Sequence, residues 1–179
     1  MRPSPESDEP DQRAVDEVYR RRARQLAERP ADRTDTATTT AVLVFTLGTE
    51  RYGIALTDLA EVLLYRGCTA VPGTPAALLG VINVRGDIRP VADLRGVLEL
   101  AAADASAGGY VVMLRQQGGV GLKVDTIDQV CQVDHARMLS ARDGVSLIPG
   151  ARFVKALTAD GVILIDIGAV LSGLGLAPT

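Results

Sequence analysis

VLVFTLGTERYGIALTDLAEV, residues Val42–Val62, returns later in the chain as YVVMLRQQGGVGLKVDTIDQV, residues Tyr110–Val130. The two segments are equally long and align without a gap from Val42 and Tyr110 onward, and their apolar positions coincide. PVADLRGVL (Pro90–Leu98) and ILIDIGAVL (Ile163–Leu171) correspond in the same way near the end of each copy. Because the apolar residues alternate with period two, each copy is expected to form about five short strands. The repeat predicts an all-β protein of two similar small β-barrels in tandem, packed together and accompanied by short helices.

Charge separates the segment 1–40 from the rest of the chain. Charged residues make up 17 of the first 40 positions but only 24 of the remaining 139. Within this charged tail, Val15, Tyr19 and Leu26 fall at helical spacing, which predicts an amphipathic helix over Asp11–Arg29. The segment AAADASAGG has the small, polar composition of a linker. The predicted organisation is a charged tail at 1–40, a first barrel at 41–100, a linker at 101–109, a second barrel at 110–173 and a C-terminal tail at 174–179.

The stretch GVINVRGDIRPVADL, Gly80–Leu94, contains an unusual turn. Two apolar strand-like pieces, Gly80–Val84 and Ile88–Ala92, flank it, so a hairpin is predicted. Tight hairpin turns usually carry Asn-Gly or Asp-Gly, whereas here Arg85 precedes Gly86. Two interpretations are open: an ordinary solvated hairpin, or a turn that presents its polar groups to a partner.

Overall composition excludes several classes of function. The net charge is −3 and the isoelectric point about 5.2, so the basic patch of a nucleic-acid-binding protein is not expected. No apolar run approaches the roughly 18 residues of a membrane span, and the first residues lack the apolar region of a signal peptide. We therefore expect a cytoplasmic protein without direct membrane insertion. Cys68 and Cys131 are expected to be buried free thiols.

The sequence lacks the common signatures of a catalytic site. The chain has a single histidine, His135, without a cysteine or carboxylate at metal-ligand spacing. No nucleophile motif or phosphate-binding loop is present. Asp93 and Asp166 occupy equivalent places in the repeat, each before a short apolar segment, and we interpret them as helix N-caps rather than a catalytic pair. The sequence thus predicts no catalytic residues, no metal and no cofactor, and favours a binding module.

Several motifs, taken together, resemble the CheW family of chemotaxis coupling proteins. The matching stretches are LVFTLGTERYGIAL, LAEVL, TAVPGTPAALLGVINVRGDIRPVADL, VGLKVDTIDQV and DGVILIDIGAVL, which span almost all of residues 41–173. The resemblance implies two SH3-like five-stranded barrels, and leaves open whether strands cross from one half to the other. It also implies a non-catalytic adaptor that bridges chemoreceptor tips to the regulatory domain of the histidine kinase CheA, in the cytoplasm at membrane-associated receptor arrays.

The resemblance also suggests a receptor-binding groove. It gives the arginine of the N-x-R-G turn, Arg85, and the glutamate of the E-V stretch, Glu61, a role in coupling. It places Leu59 where the family has an apolar residue facing the receptor. The full candidate set is Leu59, Glu61, Val62, Gly80, Asn83, Arg85 and Gly86. A second interpretation is that Arg85 and Glu61 form an internal ion pair that braces the turn, and both roles can hold together.

Two features depart from the family pattern. Asp87 and Arg89 place charges where many members carry apolar residues, and the tail at 1–40 lies outside the resemblance. One other function also stays open on the sequence alone: an adaptor of the same fold in a non-flagellar pathway, such as pilus or gliding motility. The regulatory domain of a kinase shares this fold, but it is disfavoured because nothing before residue 41 resembles a kinase or phosphotransfer domain.

Overall fold

Two β-sheets contain most of the regular structure in the computed structural model, which describes residues 39–101, 108–115, 119–140 and 150–175. Within these residues the strands are β1 (Thr39–Leu47), β2 (Glu50–Ala55), β3 (Leu59–Leu64), β4 (Leu78–Val84), β5 (Asp87–Asp93), β6 (Tyr110–Leu114), β7 (Gly121–Val124), β8 (Thr126–Asp134), β9 (Met138–Ser140), β10 (Val154–Thr158) and β11 (Ile163–Ile165). The helices are α1 (Leu94–Val97) and α2 (Ile167–Gly173). The predicted helix at Asp11–Arg29, most of the linker and most of the C-terminal tail lie outside the described residues.

The chain enters one sheet twice and the other once. Six strands form a sheet in the order β8-β1-β2-β11-β10-β9, which we call the split sheet, and β3-β6-β7-β5-β4 form the inserted sheet. Neighbouring strands are antiparallel except for the parallel pairs β2 with β11 and β5 with β7. The sheets therefore do not follow the predicted division into 41–100 and 110–173, and the split sheet has one strand more than the five expected.

The connections between strands explain this exchange. The repeat aligns β1, β2 and β3 with β6, β7 and β8, so each sheet takes the first two strands of one copy and the later strands of the other. A single residue, Asp125, lies between β7 and β8. One residue cannot form a hairpin loop, which needs at least about two, so β8 continues into the split sheet. The matching crossover from β2 to β3 is a 3-10 turn at Leu56–Asp58.

The largest apolar core is shared by the two sheets. Strand β1 sends Leu43 and Phe45 into this core, and β6 of the inserted sheet sends Val112 and Leu114 into the same cluster. Alternate residues of β1 instead enter a separate cluster composed of split-sheet residues and Val162. Because successive side chains of a strand point to opposite faces, each sheet covers a small core of its own and half of the common one. Neither sheet can bury its apolar surface without the other.

Several local predictions are confirmed. The first hairpin turns at Gly48-Thr49, as expected, although β1 begins at Thr39 inside the predicted tail. The side chain of Asp93 accepts a hydrogen bond from the Arg95 N–H at 3.1 Å, and that of Asp166 accepts one from the Ala169 N–H at 3.0 Å. Both aspartates are therefore helix N-caps.

An ion pair holds the crossover at Asp125. Its carboxylate accepts hydrogen bonds from Nε and Nη2 of Arg95, and from the N–H of Gly48 at 2.8 Å. Burial by itself raises the pKa of Asp125, but the hydrogen bonds from Arg95 and Gly48 outweigh it, so the pKa lies below its ordinary value of 3.8. The carboxylate is therefore charged at neutral pH.

We expect the stabilisation by this ion pair to decline progressively as the pH falls below about 4. Since the folded-state pKa of Asp125 is lowered, its contribution is complete above the unfolded-state value and is lost as the pH falls through the folded-state pKa. The measurement is the free energy of unfolding in urea for the wild type and Asp125→Asn, at pH 7 and at about pH 3. The deficit of the variant should be present at pH 7 and should shrink at low pH. An equal deficit at both pH values would contradict this assignment.

Candidate functional site

The turn between β4 and β5 places an arginine in a strained conformation. Val84 pairs with Asp87, so Arg85 and Gly86 are the two loop residues. Their φ angles are +55° and +99°, as in a type I′ turn, which matches the twist of a hairpin. A non-glycine residue in this left-handed region costs about 1 kcal/mol. Because asparagine or glycine would fit here with less strain, the arginine points to a functional role.

Two side chains fix the shape of this turn. Oδ1 of Asn83 accepts a hydrogen bond from the N–H of Gly86 at 2.7 Å. Nη2 of Arg85 donates to Oε2 of Glu61 at 2.7 Å. The Arg85 side chain is 82% exposed and that of Glu61 is 27% exposed. The guanidinium is thus held at one end by a carboxylate and remains open to a partner.

The same ion pair joins the two edges of the inserted sheet. Glu61 lies in β3 and Arg85 follows β4, and these are the outermost strands of that sheet. An isolated bridge between Thr69 and Val81 adds one more pairing to β4. The ion pair therefore closes the seam between the edge strands, as the bracing interpretation expects. Exposed ion pairs contribute only about 0.2–1 kcal/mol, so this bracing is weak.

Gly80 has a backbone role. Its φ is +147°, and a Cβ built there would lie 2.2 Å from the carbonyl oxygen of Thr69. The register of β4 against β5 shifts between Leu78 and Gly80, so the glycine forms a bulge that lets the preceding loop approach closely. This packing explains the glycine without a contact to a partner.

Gly80→Ala should destabilise the protein strongly. The added methyl group would collide with backbone atoms rather than a flexible side chain, and overpacking with backbone strain costs about 3 kcal/mol. Gly86→Ala is the matched control, since its φ is also positive but no atom lies within 4 Å of its Cβ. We expect a cost of about 1 kcal/mol there. Urea denaturation measures both, and equal losses would show that the Thr69 contact is not the cause.

Leu59 and Val62 lie on the other face of β3 from Glu61. Leu59 pairs with Leu114 and Val62 with Val112, whereas Glu61 pairs with Met113. Directly paired residues share one face of a sheet. The structure therefore brings Glu61, Asn83, Arg85 and Gly86 together and separates them from the two apolar candidates.

An exposed apolar strip continues along that second face. Val62 is 37% exposed, Leu64 57% and Tyr110 36%, and Leu64 pairs with Tyr110 across the sheet. We call Val62, Leu64 and Tyr110 the β3 strip. Leu64 and Tyr110 were not predicted from the sequence. Residues 62–65 read VLLY, a continuous apolar run, so the sequence carries no period-two signal for which of these side chains is exposed.

Asp87 and Arg89, the two charged residues that depart from the family pattern, form an ion pair with each other. Nη2 of Arg89 donates to Oδ2 of Asp87 at 2.9 Å. Between them Ile88 is 64% exposed. The tip of the hairpin therefore presents one exposed apolar side chain beside a pair of opposite charges. This pair adds no net charge to the tip.

Other chemistry is sparse in the described parts of the chain. His135 is exposed and forms a hydrogen bond with the Thr40 hydroxyl at 2.6 Å. Among the residues that the structure describes, no group of three or more histidine, cysteine, aspartate or glutamate side chains could hold a metal ion. In the same residues, no helix has the length and apolar character needed to cross a membrane. Cys68 and Cys131 are free and half-buried.

Comparison with known proteins assigns the family. The family model described as a CheW-like domain matches residues 41–174, well over half of the chain. The chain belongs to the CheW family. It is 31% identical over 139 residues to the chemotaxis protein CheW of Klebsiella aerogenes, covering 75% of this chain and 83% of the relative. The CheW of Bacillus subtilis is 29% identical over 133 residues, covering 73% and 85% respectively.

A solved CheW structure has the same fold. The crystal structure of the scaffolding protein CheW from Thermoanaerobacter tengcongensis superimposes with a TM-score of 0.66 at 27% identity, covering 75% of this chain and 93% of that one. The prediction of an all-β fold with two SH3-like barrels is confirmed by this match. Family membership makes the protein a non-catalytic scaffold of chemotaxis signalling.

Proposed function

We propose that this CheW-family protein couples chemoreceptor tips to the regulatory domain of the histidine kinase CheA. The observation that carries the proposal is the exposed guanidinium of Arg85, which a strained turn and Glu61 hold in place. A residue kept in an unfavourable backbone conformation on the surface is more easily explained by binding than by folding. Such a coupling protein works in the cytoplasm, at membrane-associated receptor arrays.

The β3 strip is the proposed docking surface for the receptor. A receptor tip is a helical hairpin, and an amphipathic helix binds by laying its apolar side chains on an apolar surface. Val62 and Leu64 supply that surface, and Leu59 continues it into the common core. Arg85 is held by Glu61 on the other side of the same edge strand, where a charged contact would both orient the partner and add affinity. Gly80 and Asn83 act by shaping the hairpin that carries Arg85.

Binding measurements with two separate partners test this proposal. Isothermal titration calorimetry of the full chain should show binding to a receptor-tip hairpin and, independently, to a CheA regulatory domain. A ternary sample should then contain all three components in size-exclusion chromatography. If the chain binds neither partner, the coupling function is wrong. ATP with Mg²⁺ serves as a negative control, because an adaptor should give no binding isotherm with it.

A pathway other than flagellar chemotaxis is the second candidate. An adaptor for pilus or gliding motility would use the same fold and the same type of surface with a different kinase. Deleting the gene and scoring swimming and surface motility separately distinguishes the two. A defect restricted to surface motility would favour the second candidate.

A further inference from the structure

Asp125 is hydrogen-bonded to both sheets at the point where the chain passes between them. On the side of the inserted sheet it binds Arg95 of α1, which follows β5. On the side of the split sheet its carboxylate accepts from the N–H of Gly48, and its own N–H donates to the carbonyl of Thr46 at 3.3 Å. The crossover residue therefore ties a helix of one sheet to a turn of the other.

The geometry of this contact is directional. Two nitrogens of the Arg95 guanidinium face the two oxygens of Asp125, and such paired contacts fix orientation as well as distance. The Arg95 side chain is only 15% exposed and that of Asp125 only 28%. The β1–β2 turn packs on the guanidinium, because a Cβ built on Gly48 would lie 3.4 Å from Nη2 of Arg95. A third nitrogen of Arg95 donates to the carbonyl of Ala101 at 3.3 Å.

The contact breaks the symmetry of the repeat. In the alignment that places Val42 against Tyr110, Asp125 corresponds to Thr57. In the alignment that places Pro90 against Ile163, Arg95 corresponds to Gly168, so neither equivalent residue is charged. The other crossover is held instead by Arg115, whose N–H and Nη2 donate to the backbone carbonyls of the residues at positions 58 and 59. The crossover at Asp125 is thus held by an ion pair between side chains, whereas the other crossover is held by hydrogen bonds to backbone carbonyls.

We propose that Arg95 and Asp125 form a clamp that fixes the orientation of the two sheets, and that they are positioning residues for partner binding. The common apolar core holds the sheets together by a non-directional driving force, and the paired contact of Arg95 with Asp125 adds a directional restraint on the angle between them. Strand β8 begins directly after Asp125 and carries Val130, which is 55% exposed and is the repeat equivalent of Val62. The clamp therefore sets where the exposed apolar residue of β8 lies relative to the β3 strip. This consequence for binding rests on the proposed function.

Distances between spin labels on the two sheets test the clamp in the full chain. One label replaces the exposed Ile88 of the inserted sheet and the other replaces the exposed Lys155 of the split sheet. Cys68 and Cys131 are changed to alanine so that only these two sites react. Double electron–electron resonance then gives a distance distribution for the wild-type clamp, for Arg95→Met and for Asp125→Asn. We expect a narrow distribution for the wild type, and a clearly broader or shifted one for both variants.

Two further variants separate orientation from stability. Arg95→Lys keeps the charge but loses the paired geometry, so its distribution should be intermediate; it is also the milder variant should Arg95→Met fail to fold. Arg51→Met is the matched control, because Arg51 donates to the carbonyl of Asp160 within the split sheet. Its distribution should equal that of the wild type. Unchanged distributions in the clamp variants, with only a lower melting temperature, would overturn the proposal.

Binding of a receptor-tip hairpin provides the second readout. The clamp variants should bind it about fivefold more weakly, the lower end of typical couplings between distant sites, whereas Arg51→Met should not. Unchanged affinity together with broadened distances would overturn the positioning role. If the wild type does not bind the hairpin at all, the proposed function fails, and the distance measurement still decides whether the clamp exists.

Discussion

Arg85→Glu should abolish most receptor binding and leave the fold intact. Arginine and glutamate are both unbranched at Cβ, so the strain at a φ of +55° should change little. The variant replaces an ion pair with Glu61 by a repulsion, which for an exposed pair costs about 1 kcal/mol of stability or less. Loss of a hot-spot contact costs on the order of 2 kcal/mol of binding free energy, which is roughly a thirtyfold loss of affinity. Thermal melting and titration calorimetry measure the two quantities on one sample.

Two controls separate the coupling role from the bracing role. Arg137→Glu makes the same change of charge at an exposed position in the 3-10 turn before β9, and it should leave receptor binding unchanged. The double variant Arg85→Glu with Glu61→Arg restores an ion pair of opposite polarity. Under the coupling role the double variant regains stability but not receptor affinity. Recovery of both would mean that the pair acts only as a brace.

Neither half of the repeat should fold when it is expressed alone. Residues 41–105 contain β1 from Ala41 onward and β2 of the split sheet, together with β3, β4 and β5 of the inserted sheet, so neither sheet would be complete. Strand β1 would lack β8, and β3 would lack β6. Because each incomplete sheet also exposes its side of the common core, we expect no cooperative melting transition in circular dichroism.

Reassembly of the two halves is the matched control. Residues 41–105 and 106–179 expressed together should form a complex with a cooperative transition, because each half supplies the strands that the other lacks. A sharp transition of 41–105 by itself would contradict the exchange of strands between the sheets. So would a failure of the two halves to associate while each melts cooperatively.

The sequence predicted the positions of strands better than it predicted which strands pair with each other. Alternation of apolar residues located the hairpin around Gly48 and both strands beside Arg85, since that pattern depends only on which side of a strand is buried. The same pattern is equally compatible with β3 pairing within its own half or with β6. The deciding fact was the one-residue length of the connection at Asp125, which alternation does not report.

The residues of the candidate site were predicted only in part, again because a local sequence pattern does not report how the strands are arranged in the sheet. Arg85 and Glu61 were predicted together by resemblance, and the structure joins them by a hydrogen bond. Leu64 and Tyr110 were missed because their exposure depends on β3 being an edge strand, a property of the whole sheet. Gly80 stays a predicted residue of the partner-binding groove. Its close approach to Thr69 was not predicted, because it comes from a loop whose path no local pattern specifies.

The strands of the inserted sheet lie in sequence between β2 and β8 of the split sheet, so the two sheets are completed at different times during synthesis on the ribosome. The inserted sheet is complete once Val124 has emerged, whereas the split sheet needs strands as late as β11, which ends at Ile165. The nascent chain must therefore carry the β1–β2 hairpin, with its apolar side uncovered, while the middle of the protein is made. Exposed hairpins of this kind are sites where chains associate wrongly. Pausing of translation between β7 and β8 would prolong this vulnerable state, and pausing after β11 would not.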